Sequence, residues 1–556
     1  MLALLRPRAS IFVLLLAVSS AIIACGDDAP ANVGDGDGGN VTDGGASDGG
    51  GAGDDGGGSG DDGGTMMPPP PVAITSCVAS GKGKDYQVGA GAGQIASLDL
   101  VPWESLAPGD TVRIFYRAAP YVGKFMIAAK GTDAAPVRVC GVKGPNGERP
   151  IIDGNGATTR AALLPVYGNK VSDQDIHQAR SVLLIKHNGS GPFTDFPTHI
   201  QVDGLAIRRA HPSYTFKDAA GATHNYDSFG SCVWVERGHD ITIADNDITD
   251  CTQAIFSRST DDGDFAVTKN LRIVGNSMSN NGIAGDDHTH TSYIQSVGVV
   301  VELNHYGALR PGANGNSMKD RSVGSVIRFN RIDDGAHAID LVEAEDYPMT
   351  ATANPAYRAS FVYGNQINKS GNLGSFIHYG GDHYGSTAGA TWGEPIFRKG
   401  TLYFFSNTVY ATGSGAAIFQ VSTTEEHVEV FNNVFVFAPS VGTKNLRTTS
   451  DVGAPWVSGG MVNLGRNWAS SGWADSDSGH PVPGQLSGTS NMLSGAPPPI
   501  DLVTFLPVAG SAIVDAAIAG PAAASGYKID FQLDAKLKAT PRTVKGAASD
   551  LGAVEL

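Results

Sequence analysis

The chain has 556 residues with 73 glycines, 41% hydrophobic and only 17% charged residues, a balance that excludes a helical bundle and favours a β-rich or loop-rich body. Its formal net charge of −16 argues against a phosphate-binding surface, and hence against nucleic acid as the natural partner. Ten aspartates and seventeen glycines fall within residues 26–71, which hold no Lys or Arg, so the chain from residue 72 onward is only mildly acidic and long enough to bury a large core.

Residues 1–24 read as an export signal: Arg6 and Arg8 precede the apolar run Ile11 to Ala24, too short to span a bilayer comfortably. The run closes on Ile22-Ile23-Ala24-Cys25-Gly26, which looks like a bacterial lipobox, in which the cysteine becomes the lipidated first residue of the mature protein. The expectation is a lipoprotein anchored through Cys25 at the bacterial outer membrane or cell surface, because Gly26 rather than Asp follows the cysteine. Residues 25–71 then form a disordered linker. A Gly/Asp tract buries too little apolar surface to fold, its like charges keep it extended, and Pro68 to Pro71 stiffen the approach to the body.

Four cysteines follow: Cys77, Cys140, Cys232 and Cys251. An even number in an exported chain suggests two disulfides, with three pairings open, of which Cys77–Cys140 with Cys232–Cys251 is the local choice. Four buried thiols are the alternative in a domain large enough not to need staples.

From about residue 199 a unit recurs, made of an alternating strand, a corner Gly or Asn and a second short apolar stretch. Its corners fall at Gly204, Asn246, Asn276, Asn330, Asn365, Asn407 and Asn433. Such spacing suits the coils of a solenoid, in which each unit buries its apolar face only against its neighbours. Asn fits a corner because it tolerates the left-handed backbone and its amide can stack on the next coil's amide. A second strand series lies between the corners, beginning at Ser231, Ala254, Ser292, Ser317, Ala338, Phe376 and Ala417. Strands this short, with no helical-period segments between them, predict an all-β, right-handed parallel β-helix over 72–440, with 441–556 as an extension capping its end. Uneven coil lengths argue against a β-propeller.

Three stretches carry a family resemblance. Leu106-Ala-Pro-Gly-Asp110-Thr-Val-Arg-Ile with Glu148-Arg-Pro-Ile-Ile-Asp153-Gly is similar to the first coils of exported β-helix proteins. Gly315-Asn-Ser-Met-Lys319-Asp-Arg321-Ser resembles a Lys-x-Arg coil of a bacterial carbohydrate-active β-helix subgroup, and Gly510 to Asp515 with Asp550 to Glu555 resembles the segment that closes such helices. The region 75–440 thus resembles the parallel β-helix proteins of the pectate-lyase-like superfamily. The resemblance implies the fold firmly and the reaction weakly, since one fold hosts lyases, hydrolases and inert surface proteins.

Alternation phases the second strand series. Ile294, Met318, Ile339, Leu341, Ile377, Phe419 and Val421 point inward, so Tyr293, Lys319, Asp340, His378 and Gln420 form an outward stripe on five successive coils, joined by Gln295 and Arg321. Asp320 then points inward, where it needs a partner or a bend in the strand. Long flanking connections supply Asp286, His288, His290, Asn304, His305, Tyr306, Arg310, Glu343, Glu345, Asp346, Asp382, His383, Tyr384 and Trp392. Of these, Arg310, His305, Tyr306, Glu343, Tyr384 and Trp392 are the candidate substrate-binding residues, suited to hydroxyls and sugar faces.

Two functions from different classes follow. The first is a lyase that eliminates across a uronic-acid linkage of a polysaccharide. Lys319 is then the base, with its pKa lowered by Arg321; Arg321 or Arg310 forks the carboxylate, and Tyr293 or His378 delivers the proton. Related β-helix lyases often carry an Arg on the coil after the lysine and use Ca²⁺, so the resemblance admits calcium without requiring it; here Asp340 stands at that position. A hydrolase variant pairs Asp340 with Glu343 or Glu345. The second is a monomeric, non-catalytic glycan-binding or structural surface protein that uses the stripe as a contact face. The acidic runs Asp261 to Asp264 and Asp286 to His290 lack diagnostic metal spacing.

Overall fold

The computed structural model describes residues 75–164, 178–383, 393–423, 425–449, 460–476 and 485–556. The export signal, Cys25 and the linker 25–71 lie outside the described residues. Short β-branched and aromatic runs with alternating burial form the strands, as in His239–Ala244, where Ile241 and Ile243 are buried on either side of the half-buried Thr242. Three long sheets result, of 13, 12 and 11 strands among the described residues, each in strict chain order and parallel throughout. Each coil contributes one strand to each sheet in turn, which makes the body a parallel β-helix. Sheet I runs from Asp85–Val88 to Leu486–Ser487, sheet II from Tyr121–Val122 to Met492–Gly495, and sheet III from Phe125–Ile127 to Ala474–Ser476. The core is the interior of the solenoid, filled by rows such as Ile255, Met318, Ile339, Ile377 and Phe419.

The corner asparagines stack as a ladder between sheets I and II. Each side-chain carbonyl accepts from the backbone N–H and the amide of the preceding coil, from Asn246 through Asn276, Asn304, Asn330, Asn365, Asn407 and Asn433 to Asn467. Asn304 and Asn467 join the expected series. The left-handed backbone lies one residue earlier than expected, on Asp245, Gly275, Leu303, Phe329, Gly364, Ser406 and Asn432. The turn is therefore made before the asparagine, which is left to serve the amide stack.

The disulfides join Cys77 to Cys140 and Cys232 to Cys251. The coils do not stop at 440: strands at Thr443–Thr449, Met461–Leu464, Asn467–Ser470 and Met492–Gly495 continue the three sheets. The segment from Ile500 to the C-terminus runs along the side of the coils rather than over an end. Phe505, Ile513 and Leu551 pack on Val434, Val436 and Trp468, while Tyr527 stacks on Phe361 with ring centroids 3.5 Å apart. Leu502 is only half-buried, and Val503 is 81% exposed, so neither serves as a plug. Among the described residues, no helix is long and apolar enough to cross a membrane.

Candidate active site

Five strands of sheet III carry the site: β1 (Ser292–Ile294), β2 (Met318–Asp320), β3 (Ile339–Leu341), β4 (Ile377–Tyr379) and β5 (Gly415–Val421). Their register places Tyr293, Lys319, Asp340, His378 and Gln420 side by side. The row is not open to solvent as alternation alone implies. Tyr293, Lys319, Asp340 and His378 are all buried, because the connections after β3 and β4 fold back over them.

The connection after β4 brings Asp382 and His383 onto the row. Lys319 Nζ donates to Asp382 Oδ2 at 2.8 Å. Arg321, at zero exposure, donates to the Glu343 carbonyl at 2.7 Å, and its guanidinium lies 3.2 Å from Glu345 Oε1, 3.5 Å from Glu343 Oε2 and 3.5 Å from Asp382 Oδ1. Glu343 accepts the backbone N–H groups of Asp382 and His383 at 3.0 and 3.1 Å and the His383 ring at Oε1. It thereby clamps the start of that connection. His383 also reaches Glu345 Oε2 at 3.4 Å, and the Tyr293 hydroxyl donates to Glu345 Oε1 at 2.9 Å.

Asp340 does not compensate Lys319 and Arg321 by direct contact. Its Oδ1 takes His378 Nδ1 at 2.9 Å and its Oδ2 takes the Asn316 amide at 2.8 Å. Asn316 belongs to a second polar row, three residues before the first: its backbone N–H donates to His290 Nδ1 at 2.9 Å, and its side-chain carbonyl accepts the His337 N–H at 2.9 Å. His337 in turn meets Ser375 Oγ at 2.9 Å. A polar residue three places before each of Tyr293, Lys319, Asp340 and His378 was the available signal for His290, Asn316, His337 and Ser375. Only His290 stands out from the loop pattern alone.

Burial alone would raise the Asp382 carboxyl, but Lys319, Arg321 and His383 together hold it well below its ordinary value. Burial likewise opposes the Asp340 charge, yet His378, His337 and Lys319 bring its carboxyl down to about 2. Glu345 goes the other way: burial, with Asp346 beside it, pushes its carboxyl up against the pull of Arg321. Burial disfavours charge on His378 and His383, but Asp340 on the first and Glu343 on the second outweigh it, so both titrate above the ordinary histidine value. Burial drives His290 well below that value, leaving a neutral ring whose Nδ1 is an acceptor.

Three other candidate residues sit elsewhere. His305 faces Asp333 at 2.8 Å on the outside of sheet II, Tyr306 is a core residue whose hydroxyl meets Ser292, and Arg310 holds Asp250 and the Gly282 carbonyl. His305 and Tyr306 form a strand of sheet II, and Arg310 lies in the connection that follows it. Tyr384 and Trp392 lie outside the described residues. Asp320 does point inward, where Ser325 and the fully buried Arg398 partner its carboxylate.

Glu343, Asp382 and His383 offer ligand atoms within 4.8 Å of one another. They do not fit Ca²⁺, which takes about six to eight oxygen ligands. The Glu343 oxygens are committed to two backbone N–H groups and a ring, and Asp382 to Lys319 and Arg321, two cations already at the place a metal would take. The other acidic group, Asp286, Asp287 and His288, is a surface turn in which His288 Nδ1 lies 2.8 Å from Asp287.

No family model matches the chain, and no curated protein matches it. Among solved structures it is similar to pectate lyase Pel9A, at 10% identity over 81% of this chain and 89% of that one with a TM-score of 0.34. It is also similar to an alginate lyase from Paenibacillus sp. str. FPU-7, at 13% identity over 60% and 91% with a TM-score of 0.33. A GH136 lacto-N-biosidase from Eubacterium ramulus aligns at 14% identity over 74% and 68% with a TM-score of 0.36. The sheet ladders define the class to which the chain belongs by architecture, the parallel β-helix proteins.

Proposed function

We propose that the protein is a monomeric glycan-cleaving enzyme working by carboxylate acid/base chemistry, with Glu345 as the acid and Asp382 as the ionised partner. One observation carries this reading: two carboxylates whose surroundings push their protonation apart share Arg321, at 3.2 and 3.5 Å. A carboxyl raised by burial holds its proton to higher pH and, while it does, can donate to a leaving glycosidic oxygen, whereas one held ionised can activate water or stabilise positive charge on the sugar. The cost of burying so many ionisable groups on one face supports a functional rather than a structural origin.

Elimination by Lys319 is the second reading, supported by its place beside Tyr293, whose ring centroid is 5.8 Å from the ammonium. Two features weigh against it. Asp382 holds the Lys319 proton in an ion pair, and Arg321 is sealed away from any substrate carboxylate. Incubating the full chain with a glycan panel and measuring both reducing ends and unsaturated uronate products distinguishes the two. Hydrolysis without unsaturation is expected, falling about 10²–10⁴-fold in Glu345→Gln. Unsaturated products would replace this reading with elimination, and binding without any product would make the protein a non-catalytic glycan binder. The same proposal places the enzyme on a membrane through Cys25, so Cys25→Ala should move it to the soluble fraction; undiminished membrane retention would overturn that placement.

A further inference from the structure

The charged groups at the site fall into two sets by accessibility. The cations are the enclosed set: Lys319 is buried on Asp382, and Arg321 has zero exposure among Glu343, Glu345 and Asp382. The most accessible ionisable groups are acidic: Glu345, with 13% of its side chain exposed, and the exposed Asp346, which accepts from Gln295 Nε2. Toward the N-terminal coils of the same sheet, Arg258 is tied to Glu236 at 2.8 Å and Arg180 to Asp227 at 3.4 Å, while the buried Arg237 donates to the Phe193 carbonyl at 2.8 Å.

A uronic-acid residue entering such a site brings a carboxylate toward Asp346 and Asp382, while Glu345, the acid of the proposed reaction, adds no repulsion as long as it holds its proton. To gain a cation it must break a buried ion pair and leave an acid of the protein uncompensated, which is the costly way to open such a pair. An uncharged sugar meets no such penalty. Its hydroxyls can donate to the accessible carboxylates and accept from Nε2–H of His290, the tautomer fixed by the Asn316 N–H. We infer that the substrate of this site is an uncharged glycan and that uronic-acid polymers are excluded from it by charge. The inference rests on the acid/base reading of the same site and sharpens it.

The test is binding rather than turnover: the full chain is titrated with neutral xylo-, gluco- and galacto-oligosaccharides and with oligogalacturonate and oligoalginate, at low and high salt. A neutral series should bind at least about tenfold more tightly than the uronates, and uronate binding should strengthen as salt screens the repulsion. Equal or tighter uronate binding, or uronate affinity that falls with salt as for an anion held by cations, overturns the inference. Failure of every glycan to bind overturns it as well. The two proposals fail separately. Neutral binding without cleavage sustains the substrate class and refutes the acid/base enzyme, whereas hydrolysis of a uronate polymer does the reverse. Asp346→Asn, which removes the charge and keeps a hydrogen-bond acceptor, should narrow the discrimination by raising uronate affinity a few-fold relative to neutral affinity.

Discussion

Arg321 can be buried completely only because Glu343, Glu345, Asp382 and a backbone carbonyl surround it, and removing any one of these leaves charge without compensation. Glu343 has the largest effect on geometry, since its two oxygens fasten the backbone at Asp382 and His383. Glu343→Ala should cost about 3–5 kcal/mol in urea unfolding. Glu343→Gln, which keeps an acceptor, should cost less and lower the His383 pKa read by NMR, because Glu343 is what raises it. An unchanged His383 titration would show that the clamp is absent. The histidines also set a pH dependence. His378 titrates above 6.5, so the stability it contributes is fully present below 6.5 and is lost as pH rises through its folded value. Asp340 is shifted the opposite way; its contribution is present above 3.8 and is lost as pH falls toward about 2. The stability gap between wild type and His378→Ala should therefore be widest in mild acid, at about 3–5 kcal/mol, and shrink through neutral pH in denaturant melts. A gap that widens with pH would contradict a charged His378.

At the scale of elements, the asparagine ladder ties each coil to the next independently of the apolar core. Asn330 shows the pattern: its amide donates to the Val301 carbonyl and to Asn365 at 2.9 Å each, while its carbonyl accepts the Asn304 N–H at 2.9 Å. Asn330→Ala leaves the buried Asn304 N–H without its acceptor and Asn365 Oδ1 with one donor in place of two, so a loss of about 2–4 kcal/mol is expected in equilibrium unfolding. A neutral result would mean that the neighbouring coils close over the gap. The inward Asp320 belongs to the same scale. Its strand remains in register because Arg398, from the connection after β4, brings a guanidinium into the coil interior.

At the scale of the whole molecule, the C-terminal segment works as a lateral strap. It covers an aromatic file on the outside of sheet I, Phe361, Tyr363, Phe405 and Phe431, with Tyr527 and its neighbours, and it ties back through Asn432 to Ile518 and Thr408 to Ala553. Truncation at Ile500 should expose that file, increase binding of a hydrophobic dye and lower the melting temperature of the coils. A truncated protein as soluble and as stable as the full chain would reduce the strap to an appendage.

By itself the sequence determined the features that repeat. A period-two alternation specifies which side chains share a face whatever the rest of the chain does, so the solenoid, the asparagine corners and the row Tyr293, Lys319, Asp340, His378, Gln420 were all legible. The tertiary structure alone decided what lies over that row. Whether an outward lysine meets solvent or Asp382 depends on how a connection some sixty residues further along folds back, and no local pattern encodes that path. The same holds for Arg398 against Asp320, and for Arg310, whose guanidinium is taken by Asp250, sixty residues earlier in the chain. The sequence thus placed the charges on one face, and only the packing of the loops decided which of them face a ligand and which are neutralised within the protein.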